Sequence, residues 1–330
     1  MSSNNSSDLY EHFDFTASSG QEPLRVGKFL MNFIDNATRN KIQKAAVNGN
    51  ILVNNLPVKS SYKEKSGDRV SIVYSYPKQT NELIPQDIPI NITYEDDDIL
   101  IVNKEAGMVV HPGFGNYDGT LVNALAYHFD NLPKKSSENR PGLVHRIDKN
   151  TSGILVIAKN EDSMTILSKK FEKRDLNRLY VALVWGDLKE DSGFIEGNIG
   201  RSLKNRKIMS VFADGEYGKY AKTNYKVLER FGYVTMVECK LETGRTHQIR
   251  VHMSNKGNNI LGDKKYKKKF KKFKNIEPKL ENLINKLDRQ FLHAKALGFI
   301  HPTTGKEIQF TSILPQELEK ILKMLRNTNK

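Results

Sequence analysis

The chain has 330 residues and a formal net charge of +14, with 38% hydrophobic and 27% charged residues. This composition is typical of a folded protein of about two domains and argues against a disordered chain. The sequence pI of about 9.5 favours a polyanionic partner, with nucleic acid ranking before a membrane surface.

Cysteine content and hydropathy exclude several classes of protein. Cys239 is the only cysteine, so the chain can form neither a disulfide framework nor a Cys-based zinc site. The strand-like residues around it predict a buried thiol. No apolar run of about 18 residues predicts a membrane helix, and the polar N-terminus does not resemble a signal peptide. We therefore expect a cytoplasmic protein without membrane contact.

Residues 1–76 are predicted to form a small basic α/β unit with a disordered start. The first eight residues are rich in Ser and Asn and lack apolar anchors. Two helices are expected, one near residues 24–34 and one that begins after the N-cap Thr38. Short strands are expected at residues 51–53 and 70–74 because both runs are rich in Val and Ile.

Residues 77–90 contain three prolines and predict an extended linker. From residue 91 to residue 330, short strands and helices alternate, which predicts one larger α+β domain. Residues 153–158 are apolar throughout, so we expect a central strand that is buried on both faces. Residues 178–185 predict a second central strand, and residues 162–174 predict a helix between the two.

A turn at the start of the first central strand concentrates polar and cationic residues in the run RPGLVHRIDKNTSG, residues 140–153. Within it Asp148 is flanked by Arg146 and Lys149, and nearby cations favour an ionised carboxylate. An ionised, positioned carboxylate can act as a nucleophile at a sugar carbon. The alternative is structural, in which Asp148 and the neighbouring threonine and serine cap the turn.

Residues 243–255 are predicted to form a helix that Gly257 closes. In such a helix His247 and Arg250 share one face because they are three residues apart. An arginine that faces a central sheet needs a carboxylate partner, since an unpaired buried charge is costly. We expect that partner to be Asp148.

A metal site would have to use histidines from the second half of the chain. The candidates are His247, His252, His293 and His301. Their spacing is not that of a zinc site and the sequence offers them no evident acidic partner, so we predict no metal.

Residues 264–274 include eight lysines, and Tyr266, Phe270 and Phe273 recur within them at helical spacing. This pattern predicts a helix whose aromatic stripe packs on the protein while its lysines face outward. Repulsion among so many like charges favours contact with phosphate groups. A solvated charged helix or a membrane-surface helix has the same pattern. Residues 314–325 predict a last amphipathic helix.

Residues 142–159 (GLVHRIDKNTSGILVIAK) closely resemble the signature of the RluA/RluD-type pseudouridine synthases. The resemblance extends over most of residues 92–315, through these further segments in the same order: Val110–Gly113, Asp118–Leu125, Arg178–Gly186, Gly200–Arg206, Thr243–His252, Arg289–Ala294 and His301–Pro302. It implies an α+β fold with a mixed, mainly antiparallel sheet, flanking helices and an active cleft across the middle. It also implies an isomerase that converts uridine to pseudouridine in structured RNA, without a cofactor.

The resemblance also implies roles for four residues. Asp148 matches the nucleophilic aspartate, and Arg250 matches the arginine that pairs with it. Tyr180 matches the tyrosine that stacks on the flipped uracil, and Arg146 matches the arginine that enters the RNA stack where the base leaves. The chain departs from the family pattern by a lysine-rich insertion near residues 264–288, which bears on substrate docking.

The N-terminal unit resembles the S-four-type RNA-binding domain, which is named for a ribosomal small-subunit protein. Residues 24–30, 38–43 and 49–54 carry this match. The domain presents a basic face to RNA, and residues 25–75 hold nine Lys or Arg against three Asp or Glu. The residues expected to contact RNA are Arg25, Lys28, Arg39, Lys41, Lys44, Arg146, Arg245, Lys267, Lys268 and Lys271.

Several questions stay open at the level of sequence. Large-subunit ribosomal RNA is the expected substrate, and transfer RNA is the alternative substrate. A non-catalytic RNA-binding or ribosome-assembly factor is the alternative function, and a monomer is the default expectation. Asp148 could attack the ribose C1′ atom, abstract a ribose proton or attack the uracil ring.

Overall fold

The computed structural model describes residues 10–18, 22–34, 37–75, 83–113, 116–134, 140–266 and 276–328. The chain divides after residue 82 into two compact units. Among the described residues, no helix combines the length and the apolar character needed to cross a membrane.

The described part of the N-terminal unit is a small antiparallel sheet with two helices. Its elements are β1 (Tyr10–Thr16), α1 (Val26–Phe33), α2 (Arg39–Val47), β2 (Ile51–Val53), β3 (Leu56–Pro57) and β4 (Arg69–Tyr74). The strands lie in the order β1-β4-β2-β3. Both predicted helices and both predicted strands are confirmed, and the Thr38 hydroxyl accepts a hydrogen bond from the Lys41 N–H at 3.4 Å. The polar β1 was not predicted.

The larger unit contains ten strands and five helices in its described residues. The strands are β5 (Ile92–Glu95), β6 (Ile99–Lys104), β7 (Ser152–Ala158), β8 (Asn177–Trp185), β9 (Ser192–Arg201), β10 (Met209–Phe212), β11 (Lys219–Arg230), β12 (Val234–Leu241), β13 (Leu292–Ile300) and β14 (Glu307–Thr311). The helices are α3 (Leu121–His128), α4 (Glu161–Lys173), α5 (Gln248–Lys256), α6 (Pro278–Lys286) and α7 (Gln316–Thr328).

One mixed sheet organises this unit. Its main path runs β10-β9-β11-β12-β8-β13-β7-β6-β5, and β14 pairs with β13. Every pair is antiparallel except β13 with β7, so the predicted mainly antiparallel sheet is confirmed. All seven residues of β7 are buried, and β8 lies between β12 and β13, as their apolar sequences predicted. Cys239 is fully buried within β12, also as predicted.

The parallel contact between β7 and β13 requires a glycine. Gly153 has a φ of +117° and pairs with Ala294. A Cβ atom on Gly153 would lie 2.2 Å from the Ala294 carbonyl oxygen, closer than any side chain permits. The two strands can therefore approach each other only at a glycine, and this approach fixes where the preceding turn leaves the sheet.

The predicted helix over residues 243–255 is wrong at its start, because α5 begins at Gln248. The Gln248 side-chain oxygen accepts hydrogen bonds from the Thr243 hydroxyl at 2.7 Å and from the Arg245 N–H at 3.0 Å. These bonds fold residues 243–247 into a turn, and His247 takes a left-handed conformation with a φ of +57°. His247 therefore precedes the helix and does not share a helical face with Arg250. Gly257 closes the helix as predicted.

Several predictions fall outside the described residues. They are the disordered start, part of the linker and most of the lysine-rich helix, including Lys267, Lys268 and Lys271. Residues 83–90 are described and have no regular secondary structure, as expected for an extended segment. Helices α4 and α7 are confirmed within a few residues of their predicted bounds.

Two buried histidines make the unfolding free energy depend on pH. His252 and His293 are 0% and 1% exposed, and burial lowers the pKa of each to about 4. The unfolded chain binds more protons than the folded chain between that pKa and the ordinary value of about 6.5, so stability is lost as pH falls through this window. Each histidine contributes a slope of up to about 1.4 kcal/mol per pH unit.

We therefore expect His252→Gln to flatten the loss of unfolding free energy between pH 6.5 and pH 4 by about 1.4 kcal/mol per unit. Glutamine can keep the hydrogen bond to the Thr223 hydroxyl without carrying a charge. Denaturant titrations at several pH values measure the slope. If the unfolding free energy of the variant depends on pH as steeply as that of the parent, the protons taken up on unfolding do not bind to His252.

Candidate active site

A cleft of about 270 Å³ opens beside the turn that precedes β7. The turn contributes Asp148, β8 contributes Tyr180 and α5 contributes Arg250. These are the three residues that the sequence predicted as catalytic. The fold brings Tyr180 and Arg250 to Asp148 although they follow it by 32 and 102 residues in the chain.

Asp148 and Arg250 form an ion pair at the bottom of the cleft. Arg250 Nη1 donates to Asp148 Oδ2 at 2.9 Å, and the side chains are 22% and 8% exposed for Asp148 and Arg250. Asp148 Oδ1 has no hydrogen-bond partner among the described residues. The expected partnership is confirmed, and it leaves one carboxylate oxygen available to a ligand.

Asp263 holds the other side of the Arg250 guanidinium. Arg250 Nε donates to Asp263 Oδ2 at 2.7 Å, and Arg250 Nη2 donates to Asp263 Oδ1 at 3.0 Å. Burial alone would lower the pKa of Arg250, but the hydrogen bonds and charge of Asp263, followed by those of Asp148, raise it above its ordinary value. The Asp263 side chain is 1% exposed. Arg250 is therefore a permanently charged bridge between two carboxylates.

Sequence reasoning missed Asp263. It lies 13 residues after Arg250, at the edge of the lysine-rich stretch, and nothing in its neighbourhood marks a buried carboxylate. Its Oδ1 also accepts the N–H groups of Lys265 and Tyr266 at 2.9 and 3.2 Å. The preceding Gly262, with a φ of +74°, was the available signal of a forced turn.

The lysine-rich stretch contacts the site through Tyr266. Its ring lies 5.1 Å from the Arg250 guanidinium carbon, and its hydroxyl lies 2.6 Å from His247 Nδ1. The aromatic stripe therefore packs on the protein at its first position, as predicted. Phe270 and Phe273 lie outside the described residues.

Buried Lys104 holds the turn that carries Asp148. Its ammonium group donates to the carbonyl oxygens of Glu105, Met108 and Lys149 at 2.6, 2.8 and 3.1 Å. Burial lowers the pKa of Lys104 to about 7, and the negative charge of Asp148 opposes that shift. Sequence reasoning missed this lysine, because the three carbonyl groups come from loops that only the fold brings together.

Tyr180 supplies an aromatic wall of the cleft. It is 8% exposed, and apolar Leu241 and Leu292 line the cleft with it. Burial raises the pKa of Tyr180 to about 12, with Arg178 opposing the shift and Asp148 adding to it. The phenol is therefore neutral, and the pocket presents a flat apolar surface to a planar ring.

The cations that flank Asp148 in sequence point elsewhere. Arg146 is exposed and contacts the Thr246 hydroxyl at 3.2 Å and His111 Nε2 at 3.3 Å. The Lys149 ammonium group donates to the Asn116 side chain at 2.8 Å. The Asp148 carboxylate pairs with Arg250, while the side chains of Arg146 and Lys149 bond to other residues. Arg146 instead stands at the rim of the cleft.

The described residues do not support the alternative in which Asp148 serves only to cap its own turn. A capping carboxylate would accept backbone N–H groups of its own turn. Asp148 instead bonds to Arg250, while the neighbouring Thr151 and Ser152 bond to Gln290 and His293 from the β13 side. These contacts tie the turn to the rest of the unit, and the Asp148 carboxylate lines the cleft.

The histidines considered for a metal site do not converge. His252 bonds to Thr223, His293 bonds to Ser152, and His247 bonds to Tyr266. His301 does have an acidic partner, contrary to expectation, since its Nε2 lies 2.9 Å from Asp96. Its other ring nitrogen accepts the N–H groups of the loop that follows β13, so the ring serves as a clamp on that loop.

Other predicted RNA contacts divide between the two units. Arg245 lines the cleft, and its Nε donates to the Tyr220 carbonyl oxygen at 3.0 Å. The predicted contacts of the N-terminal unit are all exposed and lie at or on its two helices: Arg25, Lys28, Arg39, Lys41 and Lys44.

Known proteins resemble this chain in sequence and in fold. A family model described as RNA pseudouridylate synthase matches residues 98–255. An uncharacterized RNA pseudouridine synthase of Chlorobaculum parvum is 46% identical over 93% of this chain and 95% of its own. The ribosomal large subunit pseudouridine synthase D of Zymomonas mobilis is 43% identical over 82% and 83% of the two chains. The solved human RNA pseudouridylate synthase domain containing 4 has a TM-score of 0.55 and 25% identity, over 72% of this chain and 93% of its own.

We expect Asp263→Asn to reduce the free energy of unfolding by about 3 kcal/mol, because it breaks a buried ion pair. The variant should also impair any reaction at the cleft, since Arg250 loses its bidentate anchor. Denaturant unfolding measures the first effect. The matched control is Asp175→Asn, which removes an exposed partner of Lys170 and should cost less than about 1 kcal/mol. Equal effects of the two variants would contradict a central role for Asp263.

Proposed function

Because the chain belongs to the RNA pseudouridylate synthase family, we propose that it isomerises uridines of large-subunit ribosomal RNA to pseudouridine in the Asp148 cleft. The chain is thus an RNA pseudouridine synthase, and the proposal concerns its substrate and its residues. The supporting observation is the Asp148 carboxylate, which Arg250 holds through Oδ2 in a cleft that Tyr180 lines, while no described residue bonds to Oδ1. Relatives that match most of this chain carry the name ribosomal large subunit pseudouridine synthase D.

The target base must leave its RNA helix to reach this carboxylate, because a cleft of about 270 Å³ cannot admit a paired base. Extrusion costs a few kcal/mol. Stacking of the uracil on Tyr180 offsets roughly 1–3 kcal/mol of that cost. Arg146, exposed at the rim, is positioned to occupy the space that the base vacates.

The isomerisation breaks the bond between N1 of uracil and C1′ of ribose and forms a bond between C5 and C1′. The C5 proton is lost and N1 gains a proton, so the atoms balance without an oxidant, a reductant or water. Asp148 starts the reaction either by attacking C1′ or by removing a ribose proton. In both routes the Asp148 carboxylate is the reacting group, and Arg250 holds it in place through an ion pair of 2.9 Å.

The N-terminal unit is the second part of the proposal. Its two helices expose basic side chains, and Lys41 and Lys44 follow Arg39 on α2. A basic helical surface contacts phosphate groups and positions an RNA without reading its sequence. We propose that this unit docks the RNA while the cleft selects the uridine, and that the enzyme acts as a cytoplasmic monomer.

Chemical mapping of pseudouridine in RNA from a deletion strain tests the substrate. We expect the loss of particular pseudouridines from large-subunit ribosomal RNA, restored by the intact gene. If pseudouridines are lost only from transfer RNA, the enzyme catalyses the same reaction on transfer RNA and not on ribosomal RNA. An unchanged pattern in both RNAs would contradict the proposal.

We expect Asp148→Asn to lower the rate of pseudouridine formation by about 10³-fold or more, because asparagine offers no carboxylate. RNA affinity should stay within a few-fold, since the amide keeps the shape of the side chain. Tritium release from labelled uracil C5 measures the rate, and filter binding measures the affinity. The control is Asp191→Asn, an exposed carboxylate that pairs with Arg230. If the Asp148→Asn variant still forms pseudouridine at the parent rate, Asp148 is not the catalytic carboxylate.

We expect the triple variant Arg39→Gln, Lys41→Gln, Lys44→Gln to bind RNA more weakly and with a flatter salt dependence. Each lost phosphate contact lowers the slope of log affinity against log salt by roughly 0.7–0.9. The matched control in the same unit is Arg69→Gln, because Arg69 already pairs with Glu11 and Asp14. If both proteins share the slope of the parent, these helices do not contact the RNA backbone.

A further inference from the structure

Arg178 is a buried cation of the catalytic cleft, and its Nε has no hydrogen-bond acceptor among the described residues. It lies near the start of β8, two residues before Tyr180, and is 8% exposed. Its Nε is buried without a hydrogen-bond partner. Its guanidinium group forms no hydrogen bond or ion pair with any residue that the structure describes. A guanidinium offers five N–H donors, and no described residue accepts from any of them. Of the three nitrogens only Nε is sealed from solvent, so the other two are left to the cleft that Arg178 lines.

Stacking and shape hold Arg178 in place. The guanidinium lies 5.5 Å from the centre of the Phe171 ring, and that ring stacks on His145 at 4.4 Å with an angle of 19°. Burial and then the charge of Arg178 lower the pKa of His145 to about 3, so the imidazole is neutral. On another side, a Cβ atom at Gly244 would lie 2.9 Å from Arg178 Nη1, so the glycine leaves room for the group.

Such an arrangement is costly in the free protein. Burying a cation without a counter-ion destabilises the folded state, and a purely structural arginine would be expected to pair. Here the side chain is fixed by neutral rings while its donors stay unused. Binding groups are the usual places where a protein tolerates a cost of this kind.

The charges around the cleft point to the missing partner. The charged residues that line it are Arg146, Asp148, Arg178, Arg245 and Arg250. The single carboxylate, Asp148, already pairs with Arg250, and Arg146 and Arg245 bond to neutral groups. The described cleft therefore carries uncompensated positive charge around Arg178. An anionic group satisfies it better than a neutral carbonyl, because charge-assisted, bidentate bonds to phosphate are the strongest that arginine makes.

We propose that Arg178 binds a phosphodiester oxygen of the nucleotide that enters the cleft. The proposal deepens the proposed function and rests on it, because RNA supplies the phosphodiester. Residues two apart on one strand lie on the same face about 7 Å from each other. A nucleotide whose base stacks on Tyr180 can therefore reach Arg178 with its own backbone. The contact would anchor the extruded nucleotide, and it would also give the guanidinium of Arg178 the hydrogen-bond acceptor that it lacks among the described residues.

The test compares Arg178→Gln and Arg178→Lys with the parent protein, using an in vitro transcript of large-subunit ribosomal RNA as the probe. The measurements are kcat/KM for pseudouridine formation and Kd, each across a range of salt concentrations. We expect Arg178→Gln to lower kcat/KM roughly 10- to 100-fold. We also expect the slope of log Kd against log salt to fall by about 0.7, and Arg178→Lys to restore that slope.

A second readout separates binding from structure. If Arg178 serves the ligand, Arg178→Gln keeps or raises the thermal unfolding midpoint of the RNA-free protein, because it removes an unpaired buried charge. A merely structural arginine would give a lower midpoint. The control is Arg230→Gln, which removes an arginine paired with Asp187 and Asp191 outside the cleft and should leave the salt slope unchanged.

Three results would overturn the proposal. A lower kcat/KM with an unchanged salt slope would assign Arg178 to a neutral group such as a uracil carbonyl. If kcat/KM and the salt slope are both unchanged, Arg178 does not contact the RNA. A lower unfolding midpoint with an unchanged slope would make it structural. If the parent protein binds the transcript but forms no pseudouridine, the proposed function fails, and the salt slope still decides whether Arg178 contacts phosphate.

Discussion

The site depends on one guanidinium held between two carboxylates. Arg250 bonds to Asp148 on the cleft side and to Asp263 on the buried side, so its own position is fixed from within the protein. A lone ion pair in so dry a place would gain little, because desolvation costs about as much as the attraction returns. The second carboxylate changes that balance. Asp263 compensates the charge of Arg250, so Asp148 can present to a ligand the oxygen that no described residue bonds.

The backbone around the turn before β7 fixes the position of Asp148. Gly153 lets β7 and β13 approach in parallel, and buried Lys104 joins three carbonyl groups around the turn. The carboxylate therefore lies in a turn that is fixed on both sides, four residues before the buried strand β7 begins. Positioning of this kind lets a side chain act on a sugar carbon, because reacting groups must be held within a fraction of an ångström.

Sequence patterns predicted the parts of this structure that follow from local physics. The unbroken apolar runs of β7 and β8 indicated central strands, and the spacing of apolar residues indicated α4 and α7. The partnership of Arg250 with Asp148 followed from the cost of burying a charge, aided by the family resemblance. The start of α5 was wrong because a single side-chain oxygen, that of Gln248, folds the preceding residues into a turn.

Contacts between distant segments could not be predicted in the same way. The acceptors of Lys104 are backbone carbonyl groups, which every residue carries, so no residue type announces them. Asp263 is surrounded in sequence by lysines that suggest an exposed surface. Arg178 lies in an apolar strand, and only the fold shows that the described protein offers it no acceptor.

The most direct test of this account is a structure of the Asp148→Asn variant bound to a fragment of large-subunit ribosomal RNA that contains a target uridine. We expect a uridine extruded into the cleft, with its base stacked on Tyr180 and its C1′ atom about 3–3.5 Å from the side chain at position 148. A target base that stays within the RNA helix, or that lies in another pocket, would contradict it.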